Sequence, residues 1–337
     1  MKIALDAMGG DFGPKATVKG AVLALKENKK ISVILIGKEN EIKNELDKYS
    51  YDKNRIEIIH TDEKIKVEEG ESPARIVKRT PMASMNIALD LVKNGEAIAS
   101  LSAGNTGALL SASLFKLKRI KGVLRPAITA IMPSKNGHVA LVDAGANAEC
   151  KPQYLEQFAK MGTIYSRVLF ENTNPKVGLL NIGEEPGKGN DLSIETYKLL
   201  KENDGINFYG NIESRDMMSG VVDVIVSDGF TGNITLKAAE GVATFVLDLL
   251  KEAIKSSLLA KIGAIFLLPA LKKMQKKMDY SEYGGAIFLG VNGISIKSHG
   301  SSDGNAIKNG IKIAHLFAEK EMISQLRDDF KEKEGES

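Results

Sequence analysis

Apolar positions along the chain fall into short β-branched runs separated by longer stretches of helical period. Val221 to Val226 (VVDVIV), Lys2 to Leu5, Ile31 to Ile36, Arg55 to Ile59, the run from Ile98, Val177 to Leu180 and Ile206 to Tyr209 read as strands. The most uniformly apolar of them suit burial on both faces of a parallel sheet. Helices are expected from Pro14, which suits a first helical turn, to about Lys26, then over Glu39 to Tyr49, Met82 to Lys93, Pro152 to Val168 and Leu192 to Lys201. Two more begin near Asn233 and Asp303. This alternation predicts an α/β fold whose mostly parallel sheet is covered on both faces. Two hairpins interrupt it as local antiparallel excursions. One joins Ala127–Met132 to His138–Val142, and the other turns at Asn292-Gly293 between Ala286–Val291 and Ile294–Lys297.

Thr61 to Glu71 is charged and lacks an apolar period, so a mobile surface loop is expected there. No internal repeat or low-complexity linker divides the chain. Residues 1–330 therefore read as a single α/β domain, with 238–280 a distinct helical segment and 331–337 a frayed tail.

The loops after the strands carry the candidate chemistry. The strand Val221 to Val226 stops at Ser227, Asp228 and Gly229, and after Phe230, Thr231 and Gly232 the helical period starts at Asn233. A helix N-terminus preceded by glycines favours anions, phosphate above all, because unpaired N–H groups and the helix dipole act together. A tight turn that needs positive φ at glycine gives the same pattern by itself. The pattern recurs at Ile98 to Gly107, Val139 to Asn147 and Val177 to Asn190. Ligands of open α/β sheets bind beyond the carboxyl ends of strands, so several such loops on one edge argue for a shared anion site.

Composition removes several function classes. The net charge of +3, with no stretch mixing basic and aromatic residues, gives no nucleic-acid surface. A single cysteine, Cys150, excludes an intramolecular disulfide framework, and the short apolar run at the N-terminus is no secretory signal, so a cytoplasmic protein is expected. Zinc-ligand spacings, His-Glu-x-x-His and a Gly-x-Ser-x-Gly elbow are all absent, so neither a metal nor a cofactor is expected. Gly183 to Lys188 is one residue short of a nucleotide phosphate loop, and Leu192 stands where a dinucleotide fingerprint needs its third glycine. Cys150 at a helix start could hold a thiolate, but a buried structural role is the commoner one. What remains is a set of donors in loops: Lys188, Asn105, Thr106, Asn147, Asn190, Thr231, Asn233 and His299. Such a set suits a reaction in which inorganic phosphate is the nucleophile, since phosphate needs positioning and an oxyanion stabiliser more than a strong base.

Leu258 to Met278 stands apart. Its uncharged part, including Ile262, Ile265, Phe266, Leu267, Leu268 and Leu271, is followed by Lys272, Lys273, Lys276 and Lys277. It is shorter than the roughly 20 apolar residues of a membrane span. An interfacial helix bordered by lysines and a core helix or dimer contact both fit. Pro269 should break or kink it.

Six motifs then fit one pattern. DAMGGD (Asp6 to Asp11), SAGNTGA (Ser102 to Ala108), LVDAGAN (Leu141 to Asn147), NIGEEPGKGN (Asn181 to Asn190), SDGFTGN (Ser227 to Asn233), and YGGA with GVNG and SHGSSD (Tyr283 to Asp303) resemble, in order and over nearly the whole chain, those of the PlsX family, the phosphate acyltransferases of bacterial phospholipid synthesis. The resemblance implies a three-layer α/β/α sandwich related to isopropylmalate dehydrogenases and phosphotransacetylases. It implies transfer of a fatty acyl group from acyl carrier protein to inorganic phosphate, with the acyl phosphate consumed by a glycerol-3-phosphate acyltransferase. It also implies a homodimer and a peripheral attachment to the membrane surface, which favours the lipid reading of Leu258 to Met278.

Joined to the loop pattern, this gives a set of site expectations. Lys188 supplies counter-charge, and Asn233 or His299 donates to the oxyanion. Phosphate and substrate are met by Asp6, Gly9, Gly10, Ser102, Gly104, Asn105, Thr106, Gly107, Asn147, Asn190, Ser227, Asp228, Gly229, Thr231 and Gly232. Lys116, Lys118, Arg119 and Lys121, with the lysines after Leu271, are candidates to steer the acidic carrier protein. The competing classes are a nicotinamide-dependent dehydrogenase on the related fold and a non-catalytic scaffold for lipid enzymes.

Overall fold

The computed structural model describes residues 1–278 and 284–331. Tyr283, residues 332–337 of the expected tail, and the side chains of Lys272, Lys273, Lys276 and Lys277 lie outside the described residues. Strands β1 (Lys2–Asp6), β2 (Ser32–Gly37), β3 (Ile56–His60), β4 (Ala99–Ser102), β5 (Ala127–Ser134), β6 (Gly137–Val142), β7 (Val177–Asn181), β8 (Phe208–Glu213), β9 (Val224–Val226), β10 (Ala286–Leu289) and β11 (Ile294–Lys297) form one sheet. Their spatial order is β3-β2-β1-β4-β11-β10-β5-β6-β9-β7-β8. The helices are α1 (Pro14–Glu27), α2 (Glu39–Leu46), α3 (Pro73–Arg79), α4 (Ser84–Lys93), α5 (Thr106–Lys116), α6 (Pro152–Phe170), α7 (Asp191–Glu202), α8 (Gly229–Lys255), α9 (Leu258–Met278), α10 (Gly304–Glu319) and α11 (Met322–Lys331).

Strand periodicity produces the three layers. Successive side chains of a strand point to opposite faces, so Val142, Val224 and Val226 join Phe158, Tyr165 and Phe317 in the core under α6 and α10. Leu141 and Ile225 join Phe288, Leu109 and Met85 in the core under α4 and α5. The two faces are thus both apolar, as the uninterrupted β-branched runs require.

Strand direction corrects the expectation of a single rim. β1, β2, β3, β4 and β11 are mutually parallel. β10 is antiparallel to β11 and to β5, and β5 is antiparallel to β6. The group β6, β9, β7 and β8 is again parallel but runs opposite to the first group. Glycine loops after β1, β4 and β11 therefore leave one end of the sheet, and those after β6, β9 and β7 leave the other. The hairpins cause this because each is paired into the middle of the sheet instead of folding back at its edge.

Four further differences have local causes. Helix α8 starts at Gly229, four residues before the expected Asn233, because Asp228 caps it. Helix α3, with Pro73 in its first turn, was not expected. The helix of the apolar stretch, α9, runs through Pro269, which removes one N–H from its ladder without ending it. Residues 61–71 are tied down: the Thr61 hydroxyl donates to Met82 O at 2.7 Å, Ser84 N–H donates to Glu63 O at 3.1 Å, and Ile65 and Val67 pack on the α4/α5 core.

Candidate active site

Beyond β1, Asp6 is buried and organises its rim. Its carboxylate accepts from the hydroxyls of Ser84 and Ser102 at 2.6 Å each and from Met8 N–H at 3.2 Å. The Ser102 hydroxyl accepts in turn from Gly104 N–H at 3.0 Å, so the loops after β1 and β4 and the start of α4 are cross-linked through three side chains. Gly9 fits between them because a Cβ there would lie 2.7 Å from Asp6 Oδ2 and 2.8 Å from Gly104 N. Asn105 caps α5, its Oδ1 accepting from Ala108 N–H at 3.0 Å.

At the opposite end of the sheet Asp143 plays the same organising part. Its buried carboxylate accepts from the N–H groups of Ile128, Gly145, Ala146 and Asn147 and from the Asn147 amide at 2.8 to 3.1 Å. Burial pushes its carboxyl above the usual carboxylate range, against the pull of these donors. Asp228 caps α8 through Thr231, whose N–H and hydroxyl both donate to it at 2.8 Å. Gly229 N–H donates to Asn147 O at 2.7 Å and Gly232 N–H to Asp228 O at 2.9 Å. These three amides, expected to cradle an anion, meet the protein's own oxygens. Cys150 donates to Asn147 O at 3.6 Å, and burial pushes its thiol up to about 12, so it is no nucleophile near neutrality.

Helix α8 joins the two ends. Asn233, Leu236, Lys237 and Glu240 recur at helical spacing and line one stripe, against Ile128, Ala130 and Ile131 of β5 and Ala286 of β10. The cavity they enclose, about 160 Å³, is mostly apolar and also meets Thr106, Lys297 and His299. A second, polar cavity of about 590 Å³ opens over the β1 and β4 loops, lined by Asp6, Gly9, Gly10, Asp11, Lys64, Lys66, Gly104 and Asn105. Thr106, Lys237, Lys297 and His299 belong to both.

The charged groups at that shared wall perturb one another. Lys297, the last residue of β11, is buried and donates to Ser298 O. Burial, with Lys237 nearby, brings its ammonium down to about 8 against a smaller opposing pull from Asp11. Lys237 pairs with Glu240 at 2.6 Å. Burial, then Lys297 and Lys237, hold His299 below the ordinary histidine range. Its Nδ1 accepts from Ser301 N–H at 3.3 Å, which leaves the proton of the neutral ring on Nε2.

Of the residues expected at the site, Asp6, Gly9, Gly10, Gly104, Asn105, Thr106, Asn233 and His299 line the two cavities. Ser102, Asn147, Ser227, Asp228, Gly229, Thr231 and Gly232 support the loops through the bonds above or by close packing, and Gly107 packs on Pro73. Asn190 caps α7. Lys188 is exposed on the loop after β7 and lines neither cavity. Lys64, Lys66, Lys237, Glu240 and Lys297 were missed. The four-residue step from Asn233 to Lys237 was the available signal for one of them. Among the steering candidates, Lys116 pairs with Asp90 at 2.6 Å and Arg119 donates to the Val123 and Leu124 carbonyls.

Away from the cavities, α8 and α9 form a helical pair whose apolar side chains face outward, including Phe245 at 62%, Leu259 at 82% and Phe266 at 81% exposure. Among the described residues no helix is long and apolar enough to cross a membrane.

The same fold occurs in solved phosphotransacetylases. One from Streptococcus pyogenes superposes with a TM-score of 0.65 at 18% identity, covering 96% of this chain and 94% of that one. The EutD phosphotransacetylase from Staphylococcus aureus gives 0.62 at 17% identity and 94% coverage of each. The architecture is therefore that of the phosphotransacylases, a mixed α/β fold with helices on both sides of the sheet. Residues 1–325 match the family model described as fatty acid synthesis protein. A phosphate acyltransferase of Fusobacterium nucleatum is 55% identical over 328 residues, 97% of this chain and 98% of its own, and one of Dictyoglomus turgidum is 50% identical over 327 residues, 97% and 96% of the two chains. The chain belongs to this family, the PlsX phosphate acyltransferases, and is an acyltransferase.

Proposed function

We propose that the protein transfers a fatty acyl group from the thioester of acyl carrier protein to inorganic phosphate, giving acyl phosphate for phospholipid synthesis. The observation that carries this reading is the shared wall: an apolar cavity suited to the acyl end of a thioester meets a polar, lysine-lined cavity suited to phosphate. A phosphate oxygen attacks the thioester carbon, the C–O bond forms, and the C–S bond breaks. The carrier's thiolate departs with the bonding pair and takes a proton from solvent. Asn233, or neutral His299 through Nε2–H, donates to the oxyanion of the tetrahedral intermediate.

Peripheral membrane attachment and a homodimer belong to the same proposal. The outward apolar faces of α8 and α9 support them, because such area is covered by lipid or by protein in use. Attachment would release acyl phosphate beside a glycerol-3-phosphate acyltransferase. The test is to incubate the purified chain with acyl carrier protein thioester and phosphate, trap acyl phosphate as hydroxamate and count released thiol, with NAD binding measured in parallel. Hydroxamate equal to thiol supports the reading. NAD binding without acyl phosphate would overturn it in favour of a dehydrogenase, and neither signal would favour a scaffold.

A further inference from the structure

We propose that Lys237 and Lys297 together form the seat of the phosphate dianion, with Thr106 and His299 as its hydrogen-bonding sides. The inference rests on the reading just given and adds the residues that hold the nucleophile. Only Thr106, Lys237, Lys297 and His299 line both described cavities, so a group held by them faces the polar entrance and the apolar cavity at once. Two of the four are cations, and each is fixed by a different element: Lys297 ends β11, and Lys237 stands on the third turn of α8.

The arrangement is unfavourable without an anion. Lys297 is 9% exposed, and the nearby charge of Lys237 acts against its own. The carboxylates at hand do not resolve this: Glu240 is bonded to Lys237, and the pull of Asp11 on Lys297 is smaller than the opposing effect of burial. A buried ammonium with a second, more exposed cation beside it is relieved by a dianion that meets both. Thr106 adds a hydroxyl and the first turn of α5, whose dipole favours negative charge. Lys64 and Lys66, on the polar cavity wall, give an approaching anion a favourable path. The expected counter-charge, Lys188, stands outside both cavities.

A phosphate group could reach this wall from two sources, the free ion or the phosphodiester of the carrier's prosthetic arm, and kinetics separates them. Lys237→Gln changes an exposed side chain and Lys297→Met keeps a buried stem of similar length. Each should raise KM for inorganic phosphate by about tenfold or more, with KM for the acyl carrier protein thioester changed less than about twofold, and Lys237→Arg should recover most of the loss. A rise confined to KM for the thioester would give the wall to the prosthetic arm and overturn the proposal. So would an unchanged phosphate KM in both variants, above all if Lys188→Ala raised it. Should the wild type form no acyl phosphate, the functional reading fails by itself. Calorimetric titration of wild type and Lys237→Gln with inorganic phosphate then decides the seat: weaker binding in the variant supports it, and equal binding or none in either removes it.

Discussion

A Cβ at Gly232 would lie 2.0 Å from the carbonyl oxygen of Asp143. The first turn of α8 is thereby pressed against the loop after β6, which fixes where Asn233, the next residue, enters the apolar cavity. Gly232→Ala must push the helix off that loop. It should destabilise the fold by about 1–3 kcal/mol, the usual cost of overpacking. Acyl phosphate formation should fall further than the loss of folded protein explains. Denaturant unfolding and turnover on the same preparation check both, and a variant with unchanged turnover would separate the loop contact from the site.

Asn233→Ala should lower the rate of the chemical step by about 100–1,000-fold, as loss of one oxyanion donor does, with little change in KM for phosphate. Single-turnover measurement at saturating phosphate reads that step. A normal rate would leave His299 as the donor, and His299→Gln would then show the loss.

The depressed Lys297 gives a signed dependence on pH. Its value falls from the ordinary 10.5 to about 8 in the fold, set by burial and by Lys237, with Asp11 opposing and His299 alongside. Below about 8 both folded and unfolded chains carry the proton, and the folded one bears the full cost of a buried charge. Between about 8 and 10.5 only the unfolded chain stays protonated, so stability rises with pH across that window. Lys297→Met should therefore be more stable than wild type at pH 7, by on the order of 2 kcal/mol in phosphate-free buffer, with the gap closing toward pH 10. Phosphate affinity of the wild type should fall as pH rises through the same window, because the ammonium is what attracts the dianion. Unfolding curves with and without phosphate measure both trends.

Ala130 is a small residue on the floor of the apolar cavity. Ala130→Leu fills part of it, and turnover should shift toward shorter acyl chains, with the longest donor losing about 10-fold in kcat/KM. A panel of acyl carrier protein thioesters of increasing length reads the shift.

Phe266→Asp on α9 should abolish co-sedimentation with vesicles containing anionic lipid, while turnover of soluble thioester stays within about twofold. Loss of dimer in sedimentation equilibrium, with vesicle binding intact, would assign this face to a second copy of the chain.

The strands were legible because β-branched runs such as Val224–Val226 and Leu141–Val142 state their burial locally. Their directions were not. Whether β6 lies beside β9 or beside an edge depends on pairings between residues some 80 positions apart, for example Leu141 with Ile225, and no local pattern contains that choice. The site followed the same division. Loop residues such as Thr106 and His299 announce themselves by composition, whereas Lys297 looks like an ordinary strand terminus until burial is known. Lys237 looks like a solvated helix lysine until the sheet beneath it is in place. Lys188 shows the converse: a glycine loop with a lysine is a good local motif, but its strand leads to the other end of the sheet and the side chain lines neither cavity.

Helix α8 is 27 residues long, a rod of about 40 Å. Its root is clamped by Asp143 and Asp228, its second to fourth turns line the cavity, and its outer half carries the bare apolar face. A rigid lever with these three stations cannot tilt at one of them alone. A tilt imposed on the outer half would therefore be felt at the root, where Lys237 and Asn233 line the cavity.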